Sequence, residues 1–272
     1  HYGHDAHISD AMRMGRALLD AHVQFDVLLK KDLPTDRIRQ YDTIILPNVS
    51  RLSNAACAAV KQYVEDGGRI LATGETATHD ELNRERKRQA WGLHPWIIRG
   101  MSENDCTVGK GRVIYVKDLA RLVKPTSIDV EMFTDILEDV EPTVEQLKKR
   151  SAATDSYMHP YWSAFIERYE RMYFKADLPP EVRVHIYYRP DGLMTIHFVN
   201  YCVWPWELNE STPPEPIKQC TVRLNLGELC NPQDVYTMDV FEGRGPAKIT
   251  RDDDWGAFTV DNLKFHRMIV IQ

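Results

Sequence analysis

Apolar residues in the first two thirds of the chain fall into short, separated blocks whose spacing changes from block to block. Residues 8–22, ISDAMRMGRALLDAH, place Ile8, Met12, Leu18 and Leu19 at roughly helical intervals, with Ser9 or Asp10 as a cap. QFDVLLKKDL reads as a short strand and LPTDRIRQY as a loop or short helix. DTIILP is then a continuous apolar run bounded by Asp42 and Pro47, which suits a strand buried on both faces of a parallel sheet. In SNAACAAVKQYVEDGG, Ser53 caps a helix, Ala56, Val60 and Val64 line one face, and Gly67 ends it. RILATG is a second buried strand, so strand, helix and strand make a βαβ unit.

The alternation continues through ELNRERKRQAWGL, read as a helix solvated on its charged face, and GKGRVIYV, read as a further strand. From Pro125 to Tyr173 the apolar spacing is helical, punctuated by Pro142 and Pro160. After DLPPE the period drops to two. VRVHIYY and LMTIHFVNY flank the turn RPDG, and CTVRLNL, DVYTMDVF, GAFTVDNL and FHRMIVIQ follow as short strands. The fold class expected is an α/β parallel-sheet domain followed by a small antiparallel β-sandwich domain. The divisions expected are 1–122, a helical connector over 123–180, and 181–272.

Composition narrows the function classes. The 272 residues are 43% hydrophobic and 27% charged, as in an ordinary globular protein. A net charge of −6 gives no electrostatic footprint for nucleic acid or an anionic membrane. No apolar run approaches the roughly 20 residues that span a bilayer, and the opening HYGHDAHISD is polar, without a leader-peptide pattern. The five cysteines are scattered, with no CxxC pair. They read as isolated buried thiols, although Cys202 and Cys220, on neighbouring strands, could be bridged.

The stretch YDTIILPNVSRLSNAACAAVKQYVEDGGRILATGETA resembles the class I glutamine-amidotransferase-like domain, and more narrowly the trimerisation domain of β-galactosidases. The likeness rests on Tyr41-Asp42, Leu46-Pro47-Asn48, the Ser53-capped helix, Gly67-Gly68 and Thr73-Gly74, with VGKGRVIYV as the closing strand. PPEVRVHIYYRPDGLMTIHFVNY is similar to the first hairpin of the small β domain that follows in those enzymes, with His197 and Asn200-Tyr201 in place. The resemblance implies a flavodoxin-like sheet for the first domain, and a homo-oligomer whose parent carries an upstream TIM barrel with two catalytic carboxylates. A barrel needs roughly 250 residues of its own. The chain starts without Met and opens at a helix where such sheets usually open with a strand, so a C-terminal portion of a longer glycoside hydrolase is expected.

The candidate chemistry centres on GGRILATGETATHDE, where a strand-to-helix corner in related folds exposes a nucleophile. Here Thr73, Gly74, Glu75 and Thr76 stand at the corner, with no cysteine or serine in a GxCxG or GxSxG frame. Cys57 is mid-helix and reads as packing; Cys106 is not at an elbow. Glu75, His79, Asp80 and Glu81 form an acidic cluster, with Asp80 or Glu81 as a general base or as a metal ligand beside His79. Alternatively they are an acidic helix start capped by Thr78. His4 and His7, with His1 and Asp5 nearby, could share a metal, or could belong to a mobile end. Tyr201, Trp204 and Trp206 could stack on a sugar or dock the loop against protein. Asp252, Asp253 and Asp254 lack EF-hand spacing and read as a solvated turn. The expectation is a non-catalytic oligomerisation or accessory region needing no cofactor. The alternatives are a sugar-processing hydrolase working through Glu75, His79 and Asp80, and a carbohydrate-binding module.

Overall fold

The computed structural model describes residues 2–87, 92–98, 100–123, 159–201, 216–227 and 234–272. They form two compact units: 1–17 with 26–163, and 18–25 with 164–272.

In the first unit, β1 (Thr43–Leu46), β2 (Arg69–Thr73) and β4 (Gly111–Val116) are parallel, and β3 (Glu103–Val108) closes one edge antiparallel to β4, giving the order β1-β2-β4-β3. The helix between β1 and β2, α2 (Asn54–Glu65), starts where the Ser53 hydroxyl accepts from Ala56 N at 3.0 Å. It buries Ala56, Cys57, Val60, Tyr63 and Val64 against the sheet. Gly67 follows at φ +125, a conformation open to glycine. Gly111 allows the closest approach, because a Cβ there would lie 2.1 Å from Val64 O and 2.2 Å from Gly68 O.

Several local expectations change. Helix α1 runs Tyr2–Asp20, so Ser9 and Asp10 lie inside it and cap nothing. QFDVLLKKDL forms no strand; its end makes a 3-10 turn, Lys30–Asp32. The polar ENDCTV is β3, which alternation of apolar residues does not reveal. No helix follows β2 over 74–87. There the backbone N–H groups reach across: Ala77 N donates to Val49 O, His79 N to Ser50 O and Arg86 N to Thr78 O. A segment whose donors are engaged sideways cannot also form i to i−4 bonds.

In the second unit every described strand pairs antiparallel. β6 (Val182–Tyr188), β7 (Met194–Asn200), β9 (Val235–Asp239), β10 (Gly243–Pro246) and β13 (His266–Ile271) form one sheet, ordered β10-β9-β13-β7-β6. β5 (Phe174–Ala176), β8 (Ile217–Asn225), β11 (Thr250–Asp252) and β12 (Trp255–Leu263) form the other, ordered β11-β12-β8-β5. The strict alternation of β7 puts Ile196 and Phe198 inward, where they meet Val222, Val260 and Ile269 in a shared core. This is the sandwich arrangement, with period-2 strands each burying one face. Helix α3 (Pro160–Met172) leads in, and Tyr169 packs on the core.

The open edge of β6 is covered by residues from early in the chain. Gln24 Nε2 donates to Val184 O at 3.0 Å, and Ile186 N donates to Gln24 Oε1 at 3.1 Å. His22 Nε2 lies 3.1 Å from Val182 O and 3.3 Å from Pro179 O, so this nitrogen carries the hydrogen. A side-chain amide thus satisfies the strand's exposed groups as another strand would.

Candidate functional site

Ligands of open parallel sheets bind beyond the carboxyl ends of the strands, here Pro47-Asn48 after β1, Gly74-Glu75 after β2 and Lys117-Asp118 after β4. The corner is built from hydroxyls and amides. Thr76 is buried; its hydroxyl accepts from Val49 N at 3.1 Å and donates to Thr73 O at 2.6 Å. Thr73 Oγ1 accepts from Asn48 N at 3.1 Å, and Asn48 Oδ1 accepts from Glu75 N at 2.8 Å. Gly74 and Asn48 both have positive φ, at 60 and 53 degrees, which lets the two turns interlock.

Each candidate of the acidic cluster is placed. Glu75 and Glu81 are both exposed on turns. Thr78 Oγ1 donates to Glu75 O at 2.8 Å and stands 2.9 Å from His79 Nδ1; with the hydroxyl hydrogen so used, Nδ1 is the donor. Asp80 is buried and accepts from Leu82 N (2.9 Å), Arg84 N (2.9 Å) and Arg84 Nε (2.7 Å). The backbone N–H of Arg84, above all, holds its carboxyl below the usual carboxylate range. Such a group is a stable anion closing a turn, and its basicity is far from that of a general base suited to neutral pH. Tyr115 donates to Gly74 O at 2.9 Å, and burial pushes its phenol up to about 12. Thr78 caps no helix.

The thiols follow the same pattern. Cys57 is buried in α2 and Cys220 in β8, and both are free; burial raises each thiol, Cys220 to about 11. Cys106 on β3 is half-buried and likewise raised by burial. A thiol so raised is a poor nucleophile. His7 donates through Nδ1 to Pro47 O at 2.9 Å; the side chain of His4 lies outside the described residues. Among the described residues no group of three or more His, Cys, Asp and Glu side chains is arranged for a metal.

The sequence offers Asp10 only as a helix cap and does not show its place beside the corner. Asp10 sits half-buried with an Asn48 hydrogen bond, and its carboxyl is raised, by burial first and with Asp118 adding to it. Asn48 therefore links α1 to the corner, a role signalled only by an asparagine two residues beyond a strand. On the sandwich, Tyr201 is exposed and Tyr201 N donates to Glu181 O at 3.2 Å; Trp204 and Trp206 lie outside the described residues. Asp252 ends β11, and Asp253-Asp254 make the turn. Among the described residues no helix is long and apolar enough to cross a membrane.

Comparison with known proteins places this geometry. The chain is similar to α-L-fucosidase isoenzyme 2 from Paenibacillus thiaminolyticus, with 15% identity, TM-score 0.55, and 97% of this chain aligned on 45% of that one. It is also similar to β-galactosidase from Bacillus circulans sp. alkalophilus, with 10% identity, TM-score 0.51, 98% of this chain and 38% of that one. A third is a catalytic mutant of a GH42 β-galactosidase from G. stearothermophilus, with 13% identity, TM-score 0.50, 95% of this chain and 35% of that one. These likenesses establish the fold, and the chain spans less than half the length of each of the three. No curated protein matches the sequence. Residues 8–97, from α1 through the loop beyond β2, match the family described as "Beta-galactosidase trimerisation domain", and this part of the chain is a domain of that family.

Proposed function

We propose that this chain is a non-catalytic oligomerisation and accessory region of a β-galactosidase-like glycoside hydrolase, whose catalytic barrel lies upstream in the parent protein. The observation that carries the reading is the corner after β2. Asp80 and His79 are held by the loop they belong to, Thr76 is buried in it, and no thiol or serine stands at the elbow. Catalysis needs a group whose protons and lone pairs are available to substrate. The family match over 8–97 supports a role in building a homo-oligomer, with buried surface and not bond cleavage as the product of the fold.

Sedimentation equilibrium and a nitrophenyl-galactoside assay test the proposal together. A self-associated chain with no turnover is expected, and the triple change Glu75→Ala, His79→Ala, Asp80→Ala should leave the absence of turnover unaltered. Enzyme-like hydrolysis that vanishes in the triple variant would instead make this corner an active site.

A further inference from the structure

The outer face of the five-stranded sheet carries three histidines from three adjacent strands. His185 on β6 is the direct cross-strand partner of His197 on β7, and Met268 on β13 is its partner on the other side. His266, two residues before Met268, points its ring to the same place: His197 Nδ1 and His266 Nε2 are 3.1 Å apart, with ring centroids at 5.4 Å. Tyr187 stands edge-on to His197 at 5.4 Å. All three histidines and Met268 are half-buried, so the rings are fixed by their strands while water still reaches them.

We propose that His197 and His266 form a two-nitrogen chelate for a late first-row divalent cation, of the kind represented by Zn2+, Ni2+ and Cu2+. With metal–nitrogen bonds of about 2.0–2.1 Å, two nitrogens on one ion stand about 2.9 Å apart at a right angle and about 3.4 Å apart at the tetrahedral angle. The observed separation falls inside that window, so the metal needs no rearrangement of strands. Imidazole is the donor these ions favour, and a thioether beside it suits the softer of them.

Without metal the two facing nitrogens share one hydrogen. On binding, the ring that holds it passes it to its outward nitrogen through solvent, leaving two lone pairs for two metal–nitrogen bonds. No net proton is released. The remaining coordination positions stay open to water or to a donor from another molecule.

Zn2+ titration of the whole chain, followed by NMR of the histidine rings, reads this directly. At one equivalent the His197 and His266 signals should shift ahead of the other histidines. Calorimetry with Zn2+ on H197A and H266A should show this site weakened ten-fold or more in each, with unchanged metal-free thermal melts confirming the fold. If the first shifts fall on other histidines, such as His7, or if both variants keep the wild-type affinity, the pair shares only a proton and the proposal fails.

Discussion

The loop after β2 and the outer face of the five-stranded sheet both gather residues capable of chemistry, yet they use them in opposite ways. At the loop, Thr73 (the last residue of β2), Thr76, Thr78 and Asp80 each bond to backbone groups, so their donors and acceptors hold the turn in shape. On the sheet face, His197 and His266 project from neighbouring strands that need nothing from them, since the ladder is closed by backbone bonds. Residue type alone therefore identifies a site poorly. What separates the regions is whether the polar atoms are required by the fold.

The largest effect that would sharpen this contrast comes from one strand read on both faces. Phe198→Ala empties the sandwich core and is expected to cost about 3–5 kcal/mol in urea unfolding. Thr76→Val keeps the shape of the side chain but leaves Val49 N without its acceptor, so a loss of about 1–3 kcal/mol is expected. A loss near zero there would mean that the loop does not depend on its hydroxyls.

A smaller, graded effect comes from pH. Burial chiefly lowers the folded pKa of both His22 and His197, so the unfolded chain takes up protons more readily. Their contribution is therefore complete above about pH 6.5 and is lost as the pH falls through the folded values. Thermal melts should show this decline, and His22→Gln should make it shallower. The smallest effect belongs to His197→Ala, expected within about 0.5 kcal/mol because no backbone group relies on that ring. A cost as large as that of Thr76→Val would erase the distinction between the two regions.

Strong local signals made much of the fold legible. The unbroken run in DTIILP gives β1, Ser53 and Gly67 bracket α2, and the period-2 pattern of LMTIHFVNY gives β7. The misreadings have non-local causes. Residues 24–33 look like a strand, but Gln24 finds its partners on β6, 160 residues away. Glu81 to Lys87 have the charge pattern of a solvated helix, yet Asp80 collects Leu82 N and Arg84 N and winds the chain into a turn. β3 is polar because it lies at the edge of its sheet. At the corner, the absence of a nucleophile could be read from Thr73-Gly74-Glu75-Thr76. The bridging role of Asn48 toward Asp10 could not, because it depends on where α1 comes to lie.

Gln24 carries a consequence of its own. A naked strand rim is a template on which foreign extended chains can crystallise into fibres, and here the Gln24 amide, with the His22 ring beside it, is borrowed from far upstream and blocks it. Shortening the chain to begin after Phe25 would uncover β6 without removing a single sandwich strand. Such a fragment is expected to build fibres, seen as thioflavin fluorescence, where the intact chain forms none. Anyone seeking the sandwich alone should therefore carry residues 18–25 along with it.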